Sequence, residues 1–168
     1  VWGRQLPPEY GFAQGFDQYV TTEAVTDEAR LASVLELAGE AEQPFFGYVH
    51  FEGCHLPFPR KERHRGYMKK HAIPYDEKAR RAEGIDFGSG AAVCRINRDG
   101  LSLEEEDRAF LDLTYQAKMR RVDEAIVRPL LEGLRERGLG ENVLLAFTAD
   151  HGEELYEHGQ YGHAQGLW

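Results

Sequence analysis

Two short apolar runs, each passing directly into polar, metal-capable residues, constrain this chain more than any other feature. Phe45-Phe46-Gly47-Tyr48-Val49-His50-Phe51 has no helical period and leads into Glu52-Gly53-Cys54-His55-Leu56-Pro57. Asn142-Val143-Leu144-Leu145-Ala146-Phe147-Thr148 leads in the same way into Ala149-Asp150-His151-Gly152-Glu153-Glu154. A continuous apolar run of this length reads as a strand buried on both faces. Ahead of the first run, Thr26 caps a predicted helix over 27–37, with Leu31, Val34, Leu35 and Ala38 at helical spacing and Gly39 as its stop. Ahead of the second, Ser102 and Glu105 have capping-box spacing for a long helix over 104–128. Phe110, Leu113, Ala117, Val122, Ala125 and Ile126 mark its inner face, and Pro129 kinks or restarts it before Gly138 ends it. The order helix, strand, long connection, helix, strand predicts an α/β fold, with 45–51 and 143–148 as parallel neighbours in one sheet and helices on its faces.

The remaining chain is less regular. Residues 1–19 interleave Pro7-Pro8, Gly11 and Gly15 with the aromatics Tyr10, Phe12, Phe16 and Tyr19, an ordered turn-rich loop. Residues 53–100 are rich in Gly, Pro and charge, and read as an excursion longer than a connection requires. Its 168 residues are room for one domain. No stretch approaches the roughly 18 apolar residues of a membrane span. The opening residues, from Val1, show no basic segment followed by an apolar run, so no signal peptide is expected. A net charge of −9 argues against a general nucleic-acid or anionic-membrane surface. That charge is uneven: residues 60–81 hold nine Lys or Arg against three acids, either a solvated loop or a face for an anionic substrate. Cys54 and Cys94 allow one bridge or two buried thiols, and form no metal-binding CxxC.

Chemistry gathers beyond the carboxyl ends of the two predicted strands, where open α/β sheets bind ligands. Asp150 beside His151, with Gly152 permitting a turn, is a carboxylate–imidazole pair that a divalent cation accepts, or else a polar turn. His55, His158 and His163 add to the density of imidazoles, three of the chain's seven histidines lying within 151–163. Cys54 next to His55 suggests a thiol nucleophile with a histidine base. Adjacent residues on an extended chain point opposite ways, however, so Cys54 reads better as a small buried hydrophobe. His50 reads as an interstrand or core histidine, and His64 and His71 as exposed in the basic loop.

In this order and spacing the motifs resemble the sulfatases of the alkaline phosphatase superfamily. The run 45–51 followed by Cys54-His55-Leu56-Pro57-Phe58 resembles the family's strand ending in His-x-Pro-Tyr. Thr148-Ala149-Asp150-His151-Gly152-Glu153-Glu154, then Glu157-His158-Gly159 and Gly162-His163, is similar to its late Ser-Asp-His-Gly-Glu motif and continuation. Gly11 to Asp17 is similar to a Gly-Phe-Asp stretch, and Tyr115 with Val122-Asp123 to the helix between the two sites.

The resemblance implies a partial alkaline-phosphatase-like fold, a mostly parallel sheet flanked by helices, with residues 1–168 as one partial sulfatase-type domain. It implies Asp150 and His151 as ligands of a divalent metal, calcium or alternatively manganese. It implies His55 at the leaving oxygen of a sulfate or phosphate ester and His163 on the ester oxygens. The substrate it implies is a small-molecule or glycan ester, with no nucleic acid and no membrane span. The family's Cys/Ser-x-Pro-x-Arg motif, whose Cys or Ser becomes formylglycine in true sulfatases, does not occur in the chain. The chain is therefore expected to be an internal piece of a longer enzyme, inactive alone, without the nucleophile region before it and the part that follows. The alternatives are a phosphate or phosphonate ester hydrolase, a phosphoethanolamine or glycerolphosphate transferase of the same superfamily, and a non-catalytic binding module.

Overall fold

Thr26 opens the first helix as its sequence predicts: the hydroxyl accepts from the Ala29 backbone N–H at 3.3 Å, and Asp27 and Glu28 place negative charge in the first turn. The computed structural model describes residues 6–20, 26–42, 44–56, 70–71 and 75–163. Its helices are α1 (Asp27–Glu40), α2 (Glu77–Ala82), α3 (Gly90–Asn97), α4 (Glu105–Val122) and α5 (Arg128–Glu136), with a π-helical segment, Asp123–Val127, between the last two. Two short strands, β1 (Glu154–Leu155) and β2 (Tyr161–Gly162), pair antiparallel, Glu154 opposite Gly162 and Leu155 opposite Tyr161. The chain forms two compact units, Val1–Gly53 with Arg121–Leu145, and Cys54–Arg120 with Ala146–Trp168.

In the first unit, Leu31, Leu35 and Ala38 of α1 bury themselves with Leu134 of α5, and Val34, Phe51, Leu130 and Val143 close around them. Gly39 does not stop α1, which runs one residue further before Ala41 N–H closes on the Leu37 carbonyl. Asp27 accepts from Arg30 at 2.6 Å and from the Glu52 backbone N–H at 3.1 Å, so the helix start also fixes the chain just before Gly53. Pro129 has no N–H for the Ala125 carbonyl. The helix accommodates this by widening over 123–127, and Pro129 then lies in the first turn of α5, where no intrahelical donor is required.

In the second unit, Ile85, Phe87, Ala92, Ile96, Leu103, Phe110, Leu111, Leu56 and Tyr161 form the core. Four of these nine, Ile85, Phe87, Ala92 and Ile96, lie in the 85–100 part of the stretch expected to be an excursion, so that part is largely structural; α3, capped by Ser89 on Ala91 N–H, turns Ala92 and Ile96 inward. The start of α4 also differs from the predicted capping box. The helix begins at Glu105, and it is Asp107 that reaches back to the Glu104 N–H at 2.9 Å. Asp107 is fully buried, and it also accepts from Tyr75 and from two nitrogens of Arg80, so its carboxylate is satisfied on both oxygens.

The predicted sheet is corrected. Among the described residues neither 45–51 nor 143–148 is a strand, Val49 alone making a single bridge, and the only sheet is the antiparallel β1–β2 pair. Nor are the runs buried: Phe46 is 77% exposed, Leu144 95% and Phe147 60%. A strand is held by neighbours that take up its backbone hydrogen bonds, and an apolar run carries no information about whether those neighbours are present. No disulfide joins Cys54 and Cys94, and Cys94 is exposed rather than buried. Residues 60–69 and 72–74 of the basic segment 60–81, with His64, lie outside the described residues; His71 is exposed as expected. Among the described residues no helix is long and apolar enough to cross a membrane.

Candidate functional site

The polar residues that follow the two apolar runs meet in the second unit without the predicted parallel sheet to carry them. Leu56, 8% exposed, anchors the first segment in the core, and His55 precedes it. Lys118 on α4, itself buried, donates to the His55 carbonyl at 2.7 Å and fixes the backbone there. The second segment is anchored by the β1–β2 hairpin. Asn97 of α3 donates to the Tyr161 carbonyl at 2.7 Å and accepts from its N–H at 2.8 Å, clamping β2. Gly162 has φ +98°, and a Cβ there would stand 3.1 Å from Leu56 Cδ1, so glycine is needed both for the backbone and for the close approach to the residue next to His55. The hairpin turn holds Tyr156 at φ 79°, uncommon for a residue with a side chain. Its hydroxyl accepts from Leu103 N–H at 3.3 Å and the Arg108 guanidinium lies 4.8 Å over its ring, which together keep it there.

These anchors bring His55, His151 and His163 together. Ring centroids of His151 and His163 are 4.3 Å apart, of His55 and His163 4.9 Å, and of His55 and His151 6.2 Å. One nitrogen from each ring lies within 4.8 Å of the others. Each Nδ1 faces an oxygen: the Leu56 carbonyl for His55, the Gly152 carbonyl at 2.8 Å for His151, and the Glu153 carboxylate at 3.0 Å for His163. Glu153 is nearly buried, its side chain 5% exposed. His151 is exposed and the other two are half-buried, so the cluster is reachable from solvent on one side.

Asp150 is the outermost of the expected residues. Its side chain is 58% exposed, it accepts from the His151 backbone N–H at 3.0 Å, and its Oδ1 is 3.8 Å from His151 Nε2. His158, counted in the sequence with the others, does not join them. It bonds Glu154 at 3.0 Å, a contact that holds the Glu154 carboxyl below its ordinary range. Cys54 is half-buried, and its Sγ donates to the Met119 sulfur at 3.2 Å, a soft contact. Burial, with the neighbouring Cys54 and Glu153, pushes the Tyr115 phenol up.

Two residues that sequence reasoning gave no role are part of this arrangement. Glu153 had a signal, since it sits inside the quoted Asp-His-Gly-Glu string. Lys118 had none, lying 63 positions from the carbonyl it holds. The donors gathered here are three imidazoles with one carboxylate beside them. Calcium takes about six to eight oxygens, so this set on its own does not fit calcium. A family model described as Sulfatase matches residues 4–167. No curated protein and no solved structure matches the chain.

Proposed function

Since this chain belongs to the sulfatase family, we propose that it forms part of a domain that hydrolyses sulfate esters. The family is one of hydrolases that act on esters, is typically metal-dependent, and implies an alkaline-phosphatase-like fold. The observation that carries the proposal is the convergence of His55, His151 and His163, brought from segments about a hundred residues apart, with the Asp150 carboxylate beside them.

In this reading His55 protonates the leaving oxygen and His163, oriented by Glu153, donates to the nonbridging oxygens of the ester. An ester anion needs donors at those oxygens as charge develops, and the leaving oxygen needs a proton, which imidazoles supply near neutral pH. Asp150 and His151 are the pair assigned to the divalent cation. Calcium and manganese both favour oxygens, so either would take the Asp150 carboxylate and draw its other oxygens from beyond this cluster. The Cys/Ser-x-Pro-x-Arg string is absent from these 168 residues, and the proposal takes the nucleophile from a segment outside them.

The test is a chromogenic aryl sulfate assay on the enzyme that carries these residues, with an aryl phosphate run beside it. Sulfate turnover is expected, falling about a hundredfold or more in His55→Ala and in Asp150→Ala, the scale of losing one acid or one charge-stabilising group. The 168-residue chain alone is expected to turn over neither ester. Turnover of the phosphate with none of the sulfate would select the phosphate-ester alternative. Sulfate turnover unchanged by both substitutions would overturn the roles assigned here.

A further inference from the structure

We propose that the thiol of Cys54 and the thioether of Met119 form a two-sulfur binding site for a soft monovalent cation of the copper(I) type. Cys54 Sγ lies 3.2 Å from Met119 Sδ, so two soft donors 65 positions apart in sequence meet at one point of the second unit. Thiolate and thioether sulfur select soft ions such as copper(I), whereas calcium, magnesium and manganese favour oxygen. A thioether has no proton to give, so in this contact the thiol donates to it. A monovalent cation that takes the place of that proton, which passes to solvent, leaves the net charge of the pair unchanged. A divalent cation would leave a positive charge at a half-buried place, which burial disfavours unless anionic ligands join it.

One sulfur is held and the other can adjust. Lys118 donates to the His55 carbonyl at 2.7 Å and Leu56 is anchored in the core, so the backbone just after Cys54 is fixed against α4. Met119 follows Lys118 on that helix and is 45% exposed, and its unbranched side chain turns about three bonds. An ion at the zinc–thiolate distance of about 2.3 Å from each sulfur sets them about 4.6 Å apart when the three atoms are in line. The 3.2 Å contact must then open by about 1.4 Å, which rotation of the exposed thioether supplies. The same exposure gives an ion its way in, while the thiol side is sheltered. Neither the imidazoles nor Asp150 take part. The site goes beyond the hydrolase reading and does not depend on it.

The experiment is an anaerobic copper(I) titration of the purified 168-residue chain against bicinchoninate as competing chelator. The chain carries Cys94→Ser throughout, which removes the other, exposed thiol. One equivalent of copper(I) is expected to be withheld from the chelator, and to stay bound in a large excess of calcium or manganese. Copper K-edge absorption of the loaded chain should show two sulfurs around the ion. Cys54→Ser, close in size, should abolish this binding. Met119→Leu is a nearly volume-conserving change at an exposed position, and it carries the test should circular dichroism show Cys54→Ser unfolded. It should weaken binding about tenfold or more, since losing even an outer partner of a metal ligand costs about 10- to 100-fold. His151→Ala, which alters an exposed imidazole, should leave binding unchanged. No copper retained, nitrogen alone around the ion, Met119→Leu or folded Cys54→Ser binding like the unaltered chain, or loss of binding in His151→Ala would each overturn the site. No ester is used, so failure of the hydrolase reading leaves this result standing, and failure here leaves ester turnover to be judged by its own assay.

Discussion

Tyr161 joins the core to the candidate site at the scale of one residue. Its ring is fully buried against Phe87, its hydroxyl donates to the Phe87 carbonyl at 3.4 Å, and its backbone is clamped by Asn97 two positions before His163. Burial, and secondarily the charge of Glu153, pushes the phenol above its ordinary range. The unfolded chain releases this proton near pH 10, whereas the folded chain keeps it to higher pH. Above about pH 10 the unfolded state therefore binds fewer protons, and stability falls as pH rises; below that the contribution is fully present. Tyr75, stacked on Phe110 with centroids 4.0 Å apart and its phenol likewise raised by burial, adds in the same direction. Tyr161→Phe keeps the ring and removes the titration. Urea midpoints measured from about pH 8 to 11 should fall less steeply in this variant. An unchanged alkaline slope would show that the buried phenol is not its source. Nothing in the sequence marks Tyr161 for this place, because it lies in a Gly-rich stretch with no period and the partner that fixes it is 64 positions away.

Among the elements, α1, α4 and α5 were the legible part, because their signals are local, whereas α2 and α3 lie in the stretch read as an excursion. Thr26 as cap, the apolar spacing of α1, and Pro129 as the point of disturbance all rest on residues within a turn or two of one another. The packing of α1 on α5 was not legible, and it turns on Gly133. A Cβ at that position would stand 2.6 Å from Leu35 Cδ1 and 2.9 Å from Cδ2, so the glycine is what lets Leu35 reach its buried place beside Leu134. Helix propensity alone favours Gly133→Ala by about 1 kcal/mol. Overpacking a filled contact costs about 1–3 kcal/mol, and Leu35 is 9% exposed with little room to yield, so the substitution should be net destabilising by about 1 kcal/mol. A double-mutant cycle with Leu35→Ala separates the two effects. In the Leu35→Ala background the clash is gone and Gly133→Ala should become neutral or stabilising by denaturant unfolding. Destabilisation of equal size in both backgrounds would show that Leu35 is not the obstacle.

Across the whole molecule, the apolar runs at 45–51 and 143–148 explain why a cluster of candidate residues was more legible than the fold. The candidate residues follow the runs in sequence, and that adjacency survives whether or not a run is paired as a strand. Strand pairing is a property of neighbours, and the alkaline-phosphatase-like fold implied by the family is built on such pairing, whereas the described residues are mostly helical. The runs consequently present Phe46 at 77% and Leu144 at 95% exposure on the first unit, large side chains that ordinarily sit inside a sheet. Exposed apolar segments of strand-forming composition are sites of association and of binding for apolar dyes. Phe46→Lys with Leu144→Lys should therefore lower the fluorescence of a bound anilinonaphthalene sulfonate and raise the protein concentration at which light scattering begins. Neither side chain is buried, so the pair should shift folding stability by no more than about 0.5 kcal/mol each. A large drop in the thermal midpoint would show instead that these residues are packed in the folded chain, and that the two runs are closer to the expected strands than their exposure indicates.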